Sequence, residues 1–196
     1  MKLVLFSLFV FCSTATYSQD TLQKFIDNNC QYKIDGEGEA YGIKMQLNIP
    51  CEWDSLQENR PYLIRSFSYK VKEDNYLGAM LMIYKSEFTP TKKELETTNF
   101  DDVFKSPSWG KFISSRKVIV DALKCTEAHT FIKSELPQGD TYQYMLSYLI
   151  VYKNYFIILT YKTMTFNNDS SLSLFNEYKR LFRTLAARTI LYNHWK

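Results

Sequence analysis

Between Thr141 and Met164 two apolar runs stand back to back, separated only by Lys153-Asn154. In the first, Tyr142, Tyr144, Leu146, Tyr148, Ile150 and Tyr152 alternate with Gln143, Met145, Ser147, Leu149 and Val151. In the second, Tyr155, Ile157, Leu159 and Tyr161 alternate with Phe156 and Ile158. Successive side chains of a strand point to opposite faces, so this hairpin is apolar on both faces through its middle. A two-residue turn joins antiparallel neighbours. Strands that are apolar on both faces need cover on both, which puts this hairpin inside a sheet with packing layers above and below, the tyrosine hydroxyls reaching the rim.

The rest of the chain supplies the neighbours and the cover. Ile43, Met45, Leu47 and Ile49 alternate with Lys44, Gln46 and Asn48 before Pro50. That pattern predicts a strand with one face in water. Residues 62–71 and 76–84 read as two more strands around the polar turn Lys72-Glu73-Asp74-Asn75, and 112–120 and 124–135 as a pair divided at Asp121-Ala122. Helical spacing is confined to three places. Leu22, Phe25 and Ile26 suit a short helix within 21–29. Thr91 with Glu94 forms a capping box that opens a helix running to about Phe104, where Ser106-Pro107 stops it. After Asn167-Asn168-Asp169-Ser170, the stripe Leu174, Phe175, Tyr178, Leu181, Phe182 and Leu185 lies opposite Lys179, Arg180 and Arg183. The expected class is therefore α+β, a central antiparallel sheet of about six or seven strands flanked by helices.

Residues 1–18 carry Lys2, an uncharged run from Leu3 to Cys12, and then small and polar residues. This uncharged run of ten residues is about half of the ~20 that a membrane-spanning helix needs, so the segment reads as a secretory signal with Thr16 and Ser18 at −3 and −1 of the cleavage site. A single domain then runs over 19–196, secreted or periplasmic, with no stable membrane insertion after cleavage. Its length suits one core. The mature chain keeps Cys30, Cys51 and Cys125. An odd number allows one internal disulfide in an oxidising compartment. Cys30–Cys51 is favoured among the three pairings because both precede the central part of the fold, and three buried thiols are the alternative.

The net charge of +3 gives no electrostatic footprint for nucleic acid. His129 and His194 are the only histidines. No Gly-x-Ser-x-Gly elbow, phosphate loop, dinucleotide fingerprint or His-Glu-x-x-His helix is present, and neither cofactor nor metal is expected. Glu127 and His129 share one face of a strand, which reads as a surface polar pair and supplies too few ligands for a metal. Asp101 with Asp102, or Glu94 with Glu96, could serve a carboxylate-dependent hydrolase, but capping explains them as well. Lys179, Arg180, Arg183 and Arg188 read as a solvated helix face.

Gly42-Ile43 leads through a strand into Asn48-Ile49-Pro50-Cys51-Glu52-Trp53, and a tyrosine-rich hairpin followed by a helix closes the chain from Tyr142 to Leu185. Pro-x-x-Trp after a first strand, with this order of elements, resembles the PsbP-like fold over roughly residues 40 to 187. The resemblance implies an antiparallel sheet with helices packed on it, and a family whose characterised members mostly bind other proteins; it implies no catalytic residue. The expectation is an exported, non-enzymatic binding or accessory domain whose partner is an envelope or extracellular protein. Its contact surface would include Tyr62, Trp109, Tyr142, Tyr144, Tyr148 and Tyr152. The alternatives are a cryptic hydrolase and a carrier of a small apolar or aromatic ligand held between sheet and helices.

Overall fold

The computed structural model describes residues 22–195 apart from 57 and 59. The expected signal, with Lys2, Cys12, Thr16 and Ser18, lies outside them. The tyrosine hairpin consists of β8 (Gly139–Tyr152) and β9 (Tyr155–Thr165), registered from Tyr152↔Tyr155 to Tyr142↔Thr165. Lys153 in the two-residue turn takes φ 54°, the left-handed region that such a turn demands. On the side of β9 lie β5 (Asn75–Lys85), β4 (Leu63–Lys72) and β3 (Asp54–Leu56), and on the side of β8 lie β7 (Leu123–Leu136) and β6 (Lys111–Val120). All seven strands pair antiparallel, with the doubly apolar hairpin at the centre.

One face of this sheet is covered by α4 (Asn168–Ala187) together with a second, three-stranded sheet. The six apolar residues of the predicted α4 stripe are all buried, and the Phe182 ring stacks on Tyr161 of β9 with centroids 5.6 Å apart. The small sheet sets β2 (Met45–Pro50) between β1 (Asn29–Ile34) and β10 (Ile190–Leu191), and the short helix α1 over 22–27 leads into it. Cys30 and Cys51 are disulfide-bonded, tying the start of β1 to the end of β2 across a Cα–Cα distance of 4.9 Å. The opposite face of the large sheet carries a smaller cluster, in which Phe104 packs on Ala128, Leu149, Val151 and Ile158.

Two expectations need correction. The 43–49 strand is not half in water: every residue of β2 is buried, with Gln46 6% and Asn48 9% exposed. Their polar ends find distant partners, because Tyr192 donates its hydroxyl to Gln46 Oε1 at 2.7 Å and the Asn48 amide donates to the Arg188 carbonyl. Buried polar groups are tolerated when paired in this way. The single helix to Phe104 is two: α2 (Lys92–Thr97) and α3 (Asp102–Lys105). The capping box forms, with Glu94 N donating to Thr91 Oγ1 at 3.3 Å and Thr91 N to Glu94 Oε2 at 2.7 Å. The helix then breaks because Asn99 turns its amide to Ser115 Oγ at 2.9 Å, accepts from Thr126 Oγ1 at its carbonyl, and passes to Phe100 at φ 51°.

Candidate functional site

Cover on the second face is incomplete. Side chains of β9 that point there are Phe156, Ile158, Thr160, Lys162 and Met164, and those of β5 are Tyr76, Met80, Met82 and Tyr84, with Gly78 among them. The segment of α2 and α3 packs over the end bearing Phe156, Ile158, Met82 and Tyr84. Beyond it the sheet floor holds a groove of about 340 Å³, walled by Leu56, Pro61, Leu63, Met80, Met82 and Met164. The alternation along β5 and β9 shows the same asymmetry: residues facing α4 are buried, whereas Tyr76, Met80, Met82, Lys162 and Met164 are only half-buried. Methionine is unbranched and polarizable, suited to surfaces that adapt to varied apolar shapes.

Lys162 is the cation set into this floor. It pairs directly with Gly78 across β5. A Cβ at Gly78 would lie 3.1 Å from Lys162 Cε and 3.2 Å from the Phe67 carbonyl oxygen, so the glycine makes room for the lysine stem to lie across the neighbouring strand. Burial holds the Lys162 amine below its usual range, with Glu58 opposing that shift and Arg60 adding to it. Glu58 is committed elsewhere, accepting from Ser66 Oγ at 2.8 Å and pairing with Arg60 Nε at 2.8 Å. The groove therefore holds two cations and one anion, and its only carboxylate among the described residues is Glu58.

A second polar cluster lies on the other face, under α4. Glu127 is 5% exposed and receives Arg116 Nε at 2.7 Å, Arg183 Nη2 at 2.8 Å and the Tyr148 hydroxyl at 3.0 Å. Burial opposes its charge, but these three donors outweigh burial and hold its carboxyl below the usual range. His129 stacks on Phe175 with centroids 4.5 Å apart and planes 11° apart, and its Nε2 is buried without a hydrogen-bond partner. The Glu127/His129 pair is thus a packed element beneath the helix and not a surface pair, and Arg183 is an ion-pair partner instead of a merely solvated charge. Among the described residues no group of three or more His, Cys, Asp or Glu is placed to hold a metal.

The residues proposed as a tyrosine contact surface are dispersed. Tyr148 is 2% exposed beneath α4. Tyr144 lies between Phe131 and Phe175 at centroid distances of 4.7 and 5.6 Å, and Tyr152 donates its hydroxyl to the Asn193 carbonyl at 2.9 Å. Tyr142 is half-buried, with its hydroxyl 3.3 Å from Asp140 Oδ2. Tyr62 and Trp109 belong to the opposite face: Tyr62 is 43% exposed with its ring 4.6 Å from that of Tyr84, and Trp109 meets Phe104 edge-on at 5.1 Å. The carboxylate pairs do not converge on a cleft either, since Asp101 and Asp102 both bind Lys105 and Glu94 caps α2. Sequence reasoning missed the groove methionines and Lys162. The available signal was a lysine within the otherwise apolar and hydroxylated strand Tyr155–Thr165.

A seven-stranded antiparallel sheet, backed by a long C-terminal helix and a small sheet seeded by a Pro-x-x-Trp strand, is an α+β domain of the PsbP-like fold. The protein is similar in structure to cyanobacterial PsbP (CyanoP) from Synechocystis sp. PCC 6803, with a TM-score of 0.52 and 13% identity over 84% of this chain and 93% of that one. It is also similar to LpqN of Mycobacterium tuberculosis, described as involved in cell envelope biogenesis (TM-score 0.46, 14% identity, 85% and 94% covered). A third similar structure is the Saccharomyces cerevisiae Ran-binding protein Mog1p (TM-score 0.48, 9% identity, 84% and 95% covered). No family model matches the chain, and no curated protein matches it. At such identities the likeness concerns the fold.

Proposed function

We propose that this protein is an exported accessory domain that acts by binding, not catalysis, and that its binding site is the methionine-walled groove on β5 and β9. The chain is a signal cleaved after Ser18 followed by one domain from Gln19. Export is supported by the apolar run behind Lys2 and by the Cys30–Cys51 bond, which suits an oxidising compartment. No helix among the described residues is long and apolar enough to cross a membrane.

The observation that carries the reading is the uncovered apolar half of the sheet face, a concavity of about 340 Å³ within the range of about 300–1,000 Å³ common for ligand pockets. A hydrolase is disfavoured because acid–base chemistry wants two carboxylates at one cleft and the groove offers Glu58 alone. Another depression, of about 320 Å³, gathers Asp35, Glu37 and Glu39, but all three are exposed, and Lys33 and Arg65 line it with them. Of the alternatives set by the sequence, an apolar ligand fits the groove best. Contact with an envelope or extracellular protein is the second reading, favoured by the exposure of Leu56 in the groove wall and of Tyr62, which follows Pro61 of that wall; both suit apolar contact with a partner.

A neutral environment-sensitive fluorophore such as N-phenyl-1-naphthylamine tests the site without invoking charge. The native protein should enhance its emission, and Met80→Arg should abolish the enhancement while the melting temperature stays within a few degrees. Equal enhancement by both proteins, or none by the native one, would remove the groove as the binding site.

A further inference from the structure

We infer that the groove takes a single-chain amphiphile with an anionic head, an alkyl carboxylate, whose tail lies against Met80, Met82 and Met164 and whose head meets the Lys162 ammonium. This deepens the reading of the groove as the binding site and rests on it.

Glu58 is already held by Ser66 and Arg60, each at 2.8 Å, and Lys162 has no hydrogen bond or ion pair among the described residues. Lys162, Arg60 and Glu58 are the charged groups facing the cavity, so one positive charge is uncompensated. An ammonium in an apolar wall is costly unless it is paired. A neutral ligand filling the groove would strip water from Lys162 and give nothing back, and a cationic one would add repulsion. A carboxylate supplies the missing partner through a charge-assisted hydrogen bond.

The local backbone keeps that charge inside. Gly78 lies opposite Lys162 in the ladder, and a Cβ there would press on the lysine Cε at 3.1 Å and Cγ at 3.3 Å. The stem therefore lies on the sheet floor instead of standing up toward solvent. Around it the wall is mainly thioether and aliphatic, with Tyr76, Ser66 and Ser68 also lining it, and the volume of about 340 Å³ suits one short tail.

Titration calorimetry of the purified protein with octanoate, octanol and octylammonium, all below micelle formation, tests the assignment. Octanoate should bind about ten- to a hundredfold more tightly than octanol, the span of one hydrogen bond to a charged group, and octylammonium most weakly. Lengthening the carboxylate should gain about fourfold per methylene until the groove is full. Lys162→Met should erase the preference for the acid and leave octanol binding within a few-fold. Equal affinity of native protein for acid and alcohol would overturn the head-group assignment and leave the groove standing. Failure of all three ligands together with the neutral fluorophore would overturn the groove itself. Retention of the acid preference in Lys162→Met would place the anion elsewhere. The ligand comparison needs no variant, so it stands if Lys162→Met does not fold.

Discussion

Acidification should destabilise this domain in two stages, and the first belongs to His129. Its imidazole lies flat on Phe175 with no partner for Nε2, while Lys179 Nζ lies over the same ring, 5.4 Å from its centroid. Burial, followed by repulsion from Lys179 and Arg183 and partly offset by Glu127, lowers its pKa to about 4 from an ordinary 6.5. Between those two values the unfolded chain takes a proton that the folded one refuses. Stability therefore falls as pH drops through the window from about 6.5 to about 4, with a slope approaching about 1.4 kcal/mol per pH unit. Integrated over the window, the loss is roughly 3 kcal/mol as a ceiling, because the ring is not wholly enclosed and a relaxed helix would readmit water. For a domain stable by about 5–15 kcal/mol this is a large fraction.

Glu127 acts in the same direction but lower on the scale. Its carboxyl is held down by Arg116, Arg183 and Tyr148, so its contribution is intact above the ordinary carboxylate value and disappears as pH falls through its depressed folded value. Unfolded carboxyls begin to bind protons about a unit above their ordinary value, so the interval from about 6.5 to about 5.5 isolates the histidine. Urea unfolding of the native chain and of His129→Phe at pH 7, 6.5, 6 and 5.5 measures it. Phenylalanine keeps the stack on Phe175 and removes the titration, so the native curve should slope and the variant curve should be nearly flat. Direct titration by NMR should find the His129 ring neutral at pH 5. Parallel slopes in the two proteins, or an imidazole that protonates at pH 6 or above, would refute the reasoning.

Two further outcomes follow from the cysteines. The Cys30–Cys51 bridge closes a loop of sequence separation 21, so reduction, or the double substitution to Ser, should cost about 3 kcal/mol in urea unfolding; an unchanged midpoint on adding reductant would count against it. Cys125 is buried, donates to the Leu123 carbonyl at 3.3 Å, and has its thiol pushed up to about 12 by burial. It should resist iodoacetamide in the folded protein at pH 8 and react once urea unfolds the chain, as followed by intact mass; rapid labelling of the native protein would contradict its place in the core.

What could be read from the sequence was whatever repeats locally. The central hairpin declared itself because alternation on both faces of residues 142–161 is a statement about near neighbours, and the α4 stripe did so at its own period. The burial of Gln46 and Asn48 was invisible, since their partners are 146 and 140 residues away, Tyr192 in a four-residue turn at the C-terminal end and Arg188 as the residue that caps α4. The break after α2 was hidden for the same reason: Asn99 leaves the helix to satisfy Ser115 and Thr126 on β6 and β7. The groove is a different case, because its floor residues on β4, β5 and β9 were correctly placed in strands and misjudged only in what covers them, while β3 with Leu56 was not foreseen. Apolar alternation predicts two covered faces, yet the cover available differs greatly: 20 residues of α4 plus a three-stranded sheet on one side, and helices of six and four residues on the other. Those two short helices, with the Pro107–Trp109 turn beside them, roof only one end of a seven-stranded face. The surplus apolar floor must then meet water or a ligand, and Lys162, the one charge on the β9 side of that floor, marks where the shortage falls.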